Sequence, residues 1–129
     1  MKVEEEQIKS MLDSAFRRLP PELACGDVLD VKRHFGIYMM FAKADVDFEP
    51  SLAFGRPDSV VKTEKAIYIV EFKYAQSAEA ALVQCREKRY ADAYSADGRR
   101  IVYVGVNYDP VARTFDDVKT EVVKAPFAK

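Results

Sequence analysis

Two charged residues separated by one position, Glu71 and Lys73, stand at the end of the apolar run Ala66 to Phe72. Strand side chains alternate faces, so an acid and an amine at this spacing project from the same face and can share one site. Asp58 lies thirteen positions before Glu71, at the start of the preceding strand-like segment. A hairpin between the two segments would bring its carboxylate beside that of Glu71. Two converging carboxylates, completed by a backbone carbonyl such as that of Phe72 and by water, make the hard oxygen environment that Mg²⁺ or Mn²⁺ prefers. The chemistry suited to such a site is phosphodiester hydrolysis, in which the metal neutralises phosphate charge and acidifies the attacking water. Lys73 would orient that water or stabilise the developing negative charge. A plainer reading stands beside this one. Glu71 and Lys73 can be the polar exit of a buried strand, and Asp58 a turn residue after Gly55-Arg56-Pro57.

These residues need elements to position them. From Glu4 to Leu19, apolar residues recur at three- and four-residue steps until Pro20-Pro21, which predicts an amphipathic helix. A second helix is expected from Asp27 or Asp30 to about Ala44, with Val31, Phe35, Tyr38, Met39 and Ala42 as its buried stripe. Val46–Phe48, Leu52–Phe54 and Ser59–Thr63 read as short strand pieces, broken by Gly55 and Pro57. Ala66–Phe72 is β-branched, aromatic and nearly continuous, the pattern of a central strand covered on both faces. Ser77 caps a helix predicted to run to about Tyr94, Asp97-Gly98 turns out of it, and Arg100–Val106 is a second apolar strand. Strand, helix, strand in that order implies a parallel pair with a right-handed crossover. Arg113–Val123 is a further strand candidate.

At 129 residues the chain is the size of one domain, with 49% hydrophobic and 32% charged residues. A formal net charge of −1 provides no global positive field for nucleic acid, so such binding must use a local patch. Arg86, Lys88 and Arg89, with Arg99 and Arg100, form the notable basic concentration; it is either a phosphate-binding patch or a solvated helix face. Cys25 and Cys85 lack the spacing of a zinc site or a disulfide framework, which fits a reducing cytoplasm. The acidic start at Glu4-Glu5-Glu6 is unlike a signal peptide, and no apolar run is long enough for a membrane helix. No Gly-rich phosphate loop, dinucleotide fingerprint or Ser-His-Asp order is present. His34 reads as a surface or hydrogen-bonded residue, Cys85 as packing, and the tyrosines as core before base-stacking platforms.

Three segments in order, Gly55-Arg56-Pro57-Asp58, Tyr68-Ile69-Val70-Glu71-Phe72-Lys73 and Gln84-Cys85-Arg86-Glu87-Lys88-Arg89-Tyr90-Ala91, resemble the PD-(D/E)XK nuclease superfamily. They look in particular like the nuclease-type domain at the C-terminus of bacterial proteins that begin with an AAA-ATPase-like module. Leu19–Leu23, His34–Phe41 and Val104–Tyr108 extend the resemblance to about Ile8–Val118. It implies an α/β, restriction-endonuclease-like mixed central sheet flanked by helices, with an extra N-terminal helix. The whole of 1–129 is then one such domain, with its core at about 27–118. By the same resemblance Asp58 and Glu71 are metal ligands, Lys73 is the catalytic lysine, and Gln84 is the helix residue set beside the site. Asp30 is the counterpart of the family's early-helix acid, although the usual residue there is Glu. Arg56, Arg86, Lys88 and Arg89 are the candidate nucleic-acid contacts. The implied activity is Mg²⁺- or Mn²⁺-dependent cleavage of nucleic acid, DNA first, with an AAA-ATPase-like partner and a homodimer as companions. The rival readings are a nuclease-fold module that binds a partner or nucleic acid without turnover, and a small structural domain with an accidental Glu71–Lys73 pair.

Overall fold

A computed structural model of the chain describes residues 45–112 and 114–124, together with Glu6 and Ser10, which are helical and exposed. The rest of the expected first helix, the expected second helix with Asp30 and His34, and Cys25 lie outside the described residues.

The apolar run forms a nine-residue strand, and its length follows from burial on both faces. The strands are β1 (Asp45–Phe48), β2 (Ser59–Lys62), β3 (Ala66–Tyr74), β4 (Arg100–Asp109) and β5 (Thr114–Lys124), with the helix α1 (Ala78–Glu87) between β3 and β4. They lie in one sheet in the order β1-β2-β3-β4-β5. β3 and β4 are parallel, joined by the α1 crossover as the strand-helix-strand order requires, and every other pairing is antiparallel. The sheet is therefore mixed. Arg113–Val123 is borne out as an edge strand, shifted by one residue.

Alternation divides the sheet's apolar side chains into two clusters. Val60, Ile67, Ile69, Ile101 and Tyr103 join Leu82, Cys85, Tyr90 and Ala91 on the α1 side. Val61, Val70, Phe72, Val102, Val104, Val106, Tyr108 and Phe115 form the other cluster. Ile67 and Ile69 are 0% exposed, and each contributes about 1.5–3 kcal/mol through its burial.

Two expectations are corrected. Leu52–Phe54 is not a strand: Leu52 N–H donates to the Gly55 carbonyl at 2.9 Å, closing a tight turn with an isolated bridge. Three residues between breakers cannot sustain a ladder. The second correction concerns the helix, which ends at Glu87 and not at Tyr94. Arg89 adopts a left-handed conformation, φ 51°, and a separate 3₁₀ turn follows from Tyr90 to Tyr94. Burying Tyr90 and Ala91 against Tyr103 decides this break, because Ala91 N–H donates to the Tyr103 hydroxyl at 3.1 Å. A straight helix could not aim both residues at the sheet.

How far α1 descends onto the sheet is set by Gly105. A Cβ at that position would lie 2.3 Å from the Ala78 carbonyl oxygen and 3.1 Å from Ala81 Cβ, so only hydrogen leaves room for the helix. Ser77 Oγ accepts from Ala80 N at 3.0 Å, the N-cap expected from the sequence. A second acceptor, Asp117 Oδ2, takes the Ala78 N–H at 2.9 Å. The residue comes from β5, where a register shift between Asn107 and Tyr108 leaves Asp116 unpaired in the ladder and re-aims its neighbours. No described helix is long and apolar enough to cross a membrane.

Candidate active site

Asp58 immediately precedes β2, and Glu71 immediately follows Val70, the strand partner of Ser59. The hairpin thus brings the two carboxylates to the same end of adjacent strands. The β2–β3 ladder stops at Ser59, and beyond it Asp58 Oδ2 accepts from the Phe72 N–H at 2.6 Å. This bond fixes the orientation of the carboxylate. Asp58 is 6% and Glu71 5% exposed, so both acids sit in a desolvated setting where a bound cation would interact strongly with them.

Alternation along β3 places Ile67, Ile69, Glu71 and Lys73 on the α1 face, with the apolar members buried deepest and Lys73 nearer solvent. Gln84, in the last full turn of α1, spans the charged pair. Its Oε1 accepts from Lys73 Nζ at 2.5 Å, and its Nε2 donates to Glu71 Oε2 at 2.8 Å and to the Tyr90 hydroxyl at 3.4 Å. An amide is suited to this position, since it offers an acceptor to the ammonium and a donor to the carboxylate at once. Lys73 and Glu71 are thereby held apart and aimed, instead of collapsing onto one another.

The two carboxylates act on the ionisable side chains around them. Burial pushes the Cys85 thiol well up, and the carboxylates of Glu71 and Asp58 push it further, so Cys85 stays protonated and apolar. Burial likewise raises Tyr90; the bond from Gln84 opposes the shift, and Glu71, Cys85 and Asp58 add to it. Tyr90 is therefore a neutral phenol that completes the Gln84 shell.

The donor set is appropriate to a hard divalent cation: two buried carboxylates at the same end of adjacent strands. Among the described residues no cluster of three or more acidic, histidine or cysteine side chains could hold a metal. Asp30, the third acid expected from the sequence, lies outside the described residues.

The four basic candidates separate into two groups. Arg86 faces β5: its Nε and Nη2 reach Glu121 Oε1 at 2.9 and 2.6 Å, and its Nη1 reaches Glu79 Oε2 at 3.1 Å. The Glu121 bonds chiefly, with Glu79 adding, raise its already high pKa. Lys88, the C-cap of α1, and Arg89 follow at the same helix end but turn away from β5, against the turn that carries Gly55 and Arg56. Arg56 is exposed. Three basic side chains therefore rim the loop leading into Asp58, and Arg86 does not join them.

Two positioning residues escaped sequence reasoning. Asn107, the parallel partner of Lys73, accepts from Gln76 N at 2.8 Å and donates to Asp116 Oδ1 at 2.9 Å, tying down the β3–α1 connection. Asp117 holds the start of α1. The available signal for Asn107 was a polar residue in an otherwise apolar strand; Asp117 had none, because its role depends on the bulge.

A family model of the PD-(D/E)XK nuclease superfamily matches residues 33–118. An uncharacterized protein in the vnfD 5' region of Azotobacter chroococcum mcd 1 is 36% identical over 72 residues, which is 54% of this chain and 14% of that protein. This chain thus spans a small part of the length of that curated relative. The mixed sheet and crossover helix agree with a restriction-endonuclease-like α/β fold, and the superfamily's nucleases generally use divalent metals. From the extent of the family match, the chain belongs to the PD-(D/E)XK nuclease superfamily.

Proposed function

We propose that the chain hydrolyses phosphodiester bonds of nucleic acid, DNA in the first instance, with Mg²⁺ or Mn²⁺ held by Asp58 and Glu71. The carrying observation is the shared face on which Gln84 bridges Glu71 and Lys73 beside the buried Asp58. Bound there, a divalent cation would neutralise phosphate charge and acidify the attacking water. Asp58, oriented by the Phe72 N–H, and Glu71, oriented by Gln84, supply the anionic cradle. Lys73 carries positive charge to the rim of that cradle, where its three N–H donors can orient water or stabilise negative charge on a phosphate oxygen. Arg56, Lys88 and Arg89 supply local positive charge for the polynucleotide backbone. Asp30 is the candidate third acid.

The second reading is a module that binds a partner or nucleic acid without turnover. It is supported by the pairing of Arg86 with Glu79 and Glu121, and of Arg89 with Asp92 at 2.6 Å, which reduces the net positive field. An AAA-ATPase-like companion, a homodimer and a cytoplasmic location belong to the proposal as well.

Calorimetric titration with Mn²⁺ beside a DNA cleavage assay separates these readings. Asp58→Ala is expected to lose both metal binding and cleavage. Lys73→Ala should keep metal binding while cleavage falls by about 10²-fold or more. Equal activity in all three proteins would sink the catalytic assignment, and metal binding by wild type without cleavage of any nucleic acid would favour the non-catalytic module.

A further inference from the structure

Phe54 stands four positions before Asp58, in the turn closed by the Leu52–Gly55 bond, and is 50% exposed. A lone exposed aromatic means little. This one carries a cation: Arg89 Cζ lies 4.9 Å from the ring centroid. Arg89 is fixed there from two directions. Its backbone is held in the left-handed region, φ 51°, by the break between α1 and the 3₁₀ turn, and its Nη2 is anchored on Asp92 Oδ2 at 2.6 Å. The turn is in turn pressed onto the helix end, since a Cβ on Gly55 would lie 3.3 Å from Lys88 Cδ and 3.4 Å from Tyr90 Cε1. Ring and guanidinium are therefore set in advance on the chain segment that delivers Asp58.

An exposed ring backed by a guanidinium matches the chemistry of an unpaired nucleotide, whose base offers a π face to the ring and whose phosphate is drawn to the cation. Inside a continuous duplex both faces of every base are covered by neighbours, so duplex cannot use such a platform without extruding a nucleotide. We propose that Phe54 and Arg89 form a stacking subsite for an unpaired nucleotide flanking the scissile phosphate, which makes single-stranded DNA, or a single-stranded segment of branched DNA, the preferred substrate. The inference rests on the nuclease reading of Asp58, Glu71 and Lys73, and deepens it by naming the substrate class.

The test is fluorescence anisotropy of the full chain in EDTA with three labelled probes: an oligothymidylate of about 12 nucleotides, an abasic strand of equal length, and the corresponding blunt duplex. Wild type should bind the oligothymidylate tightest. Phe54→Ala should weaken oligothymidylate binding by about 5- to 150-fold and leave the abasic strand unaffected, while Phe54→Tyr retains wild-type binding. Phe54 is half exposed, so these variants should fold; unchanged thermal unfolding verifies it. Equal weakening on all probes, no weakening, a wild-type preference for duplex, or binding to none of the three overturns the subsite. Mn²⁺ calorimetry on the same preparations reports on the nuclease reading separately: loss of metal binding there sinks that reading, whereas metal binding without base-selective affinity sinks only the subsite.

Discussion

Replacing Gly105 with alanine tests whether the site is assembled by the seating of α1 on the sheet. The added Cβ would lie 2.3 Å from the Ala78 carbonyl oxygen, a backbone atom that cannot rotate away. Ordinary contact begins near 3.4 Å, so the start of the helix must retreat by about 1 Å. That movement stretches the Ala78 N–Asp117 Oδ2 bond, now 2.9 Å, out of hydrogen-bonding range. Overpacking of this kind costs about 1–3 kcal/mol. Losing a hydrogen bond to a charged acceptor adds about 1.5–3 kcal/mol, and the reduced entropy of the unfolded chain returns about 0.4–1 kcal/mol. The net expectation is a loss of about 2–5 kcal/mol, read as a urea midpoint lower by on the order of 1–2 M at unchanged m-value. Circular dichroism on wild type and variant measures it. Because Glu71 lies on β3 and Asp58 is tied to that strand through the Phe72 N–H, Mn²⁺ affinity should survive while cleavage declines with the displaced Gln84. A stability change under about 0.5 kcal/mol would refute the close seating on which the positioning of Gln84 depends.

Gln84→Ala should leave the fold and Mn²⁺ binding in place but lower cleavage by on the order of 10–100-fold, because Lys73 and Glu71 lose the amide that aims them. Unaltered single-turnover rates would exclude that positioning role. Cys85 in a Cys25→Ser background should react with a thiol reagent far more slowly than the unfolded chain does, since the side chain is 0% exposed and its ionisation is opposed by burial and by Glu71 and Asp58. Labelling of the folded protein at the unfolded rate would contradict that placement.

Much of the frame was legible in the order and pattern of residues. The run Ala66–Phe72 announced a central strand because its apolar and β-branched side chains leave no face for water, and the intervening helix pattern dictated a parallel neighbour. Asp58, Glu71 and Lys73 could be placed together from alternation and a single hairpin, both short-range consequences of backbone geometry. The extent of α1 was not readable. Its amphipathic pattern continues through Tyr90, and only burial against Tyr103 turns the chain at Arg89.

The sequence by itself determined which residue types reach the site, because strand periodicity and turn position are set within a few residues of each. The tertiary structure alone decided what those residues touch. Gln84 meets Lys73 and Glu71 because Gly105, twenty-one residues away, admits the helix, and Asp117 holds that helix because a bulge in β5 redirects it. Phe54 acquires its cation because a left-handed residue after α1 folds Arg89 back over the ring. Such contacts join segments remote in the chain, and their geometry depends on packing distances of about an ångström, which no local pattern encodes.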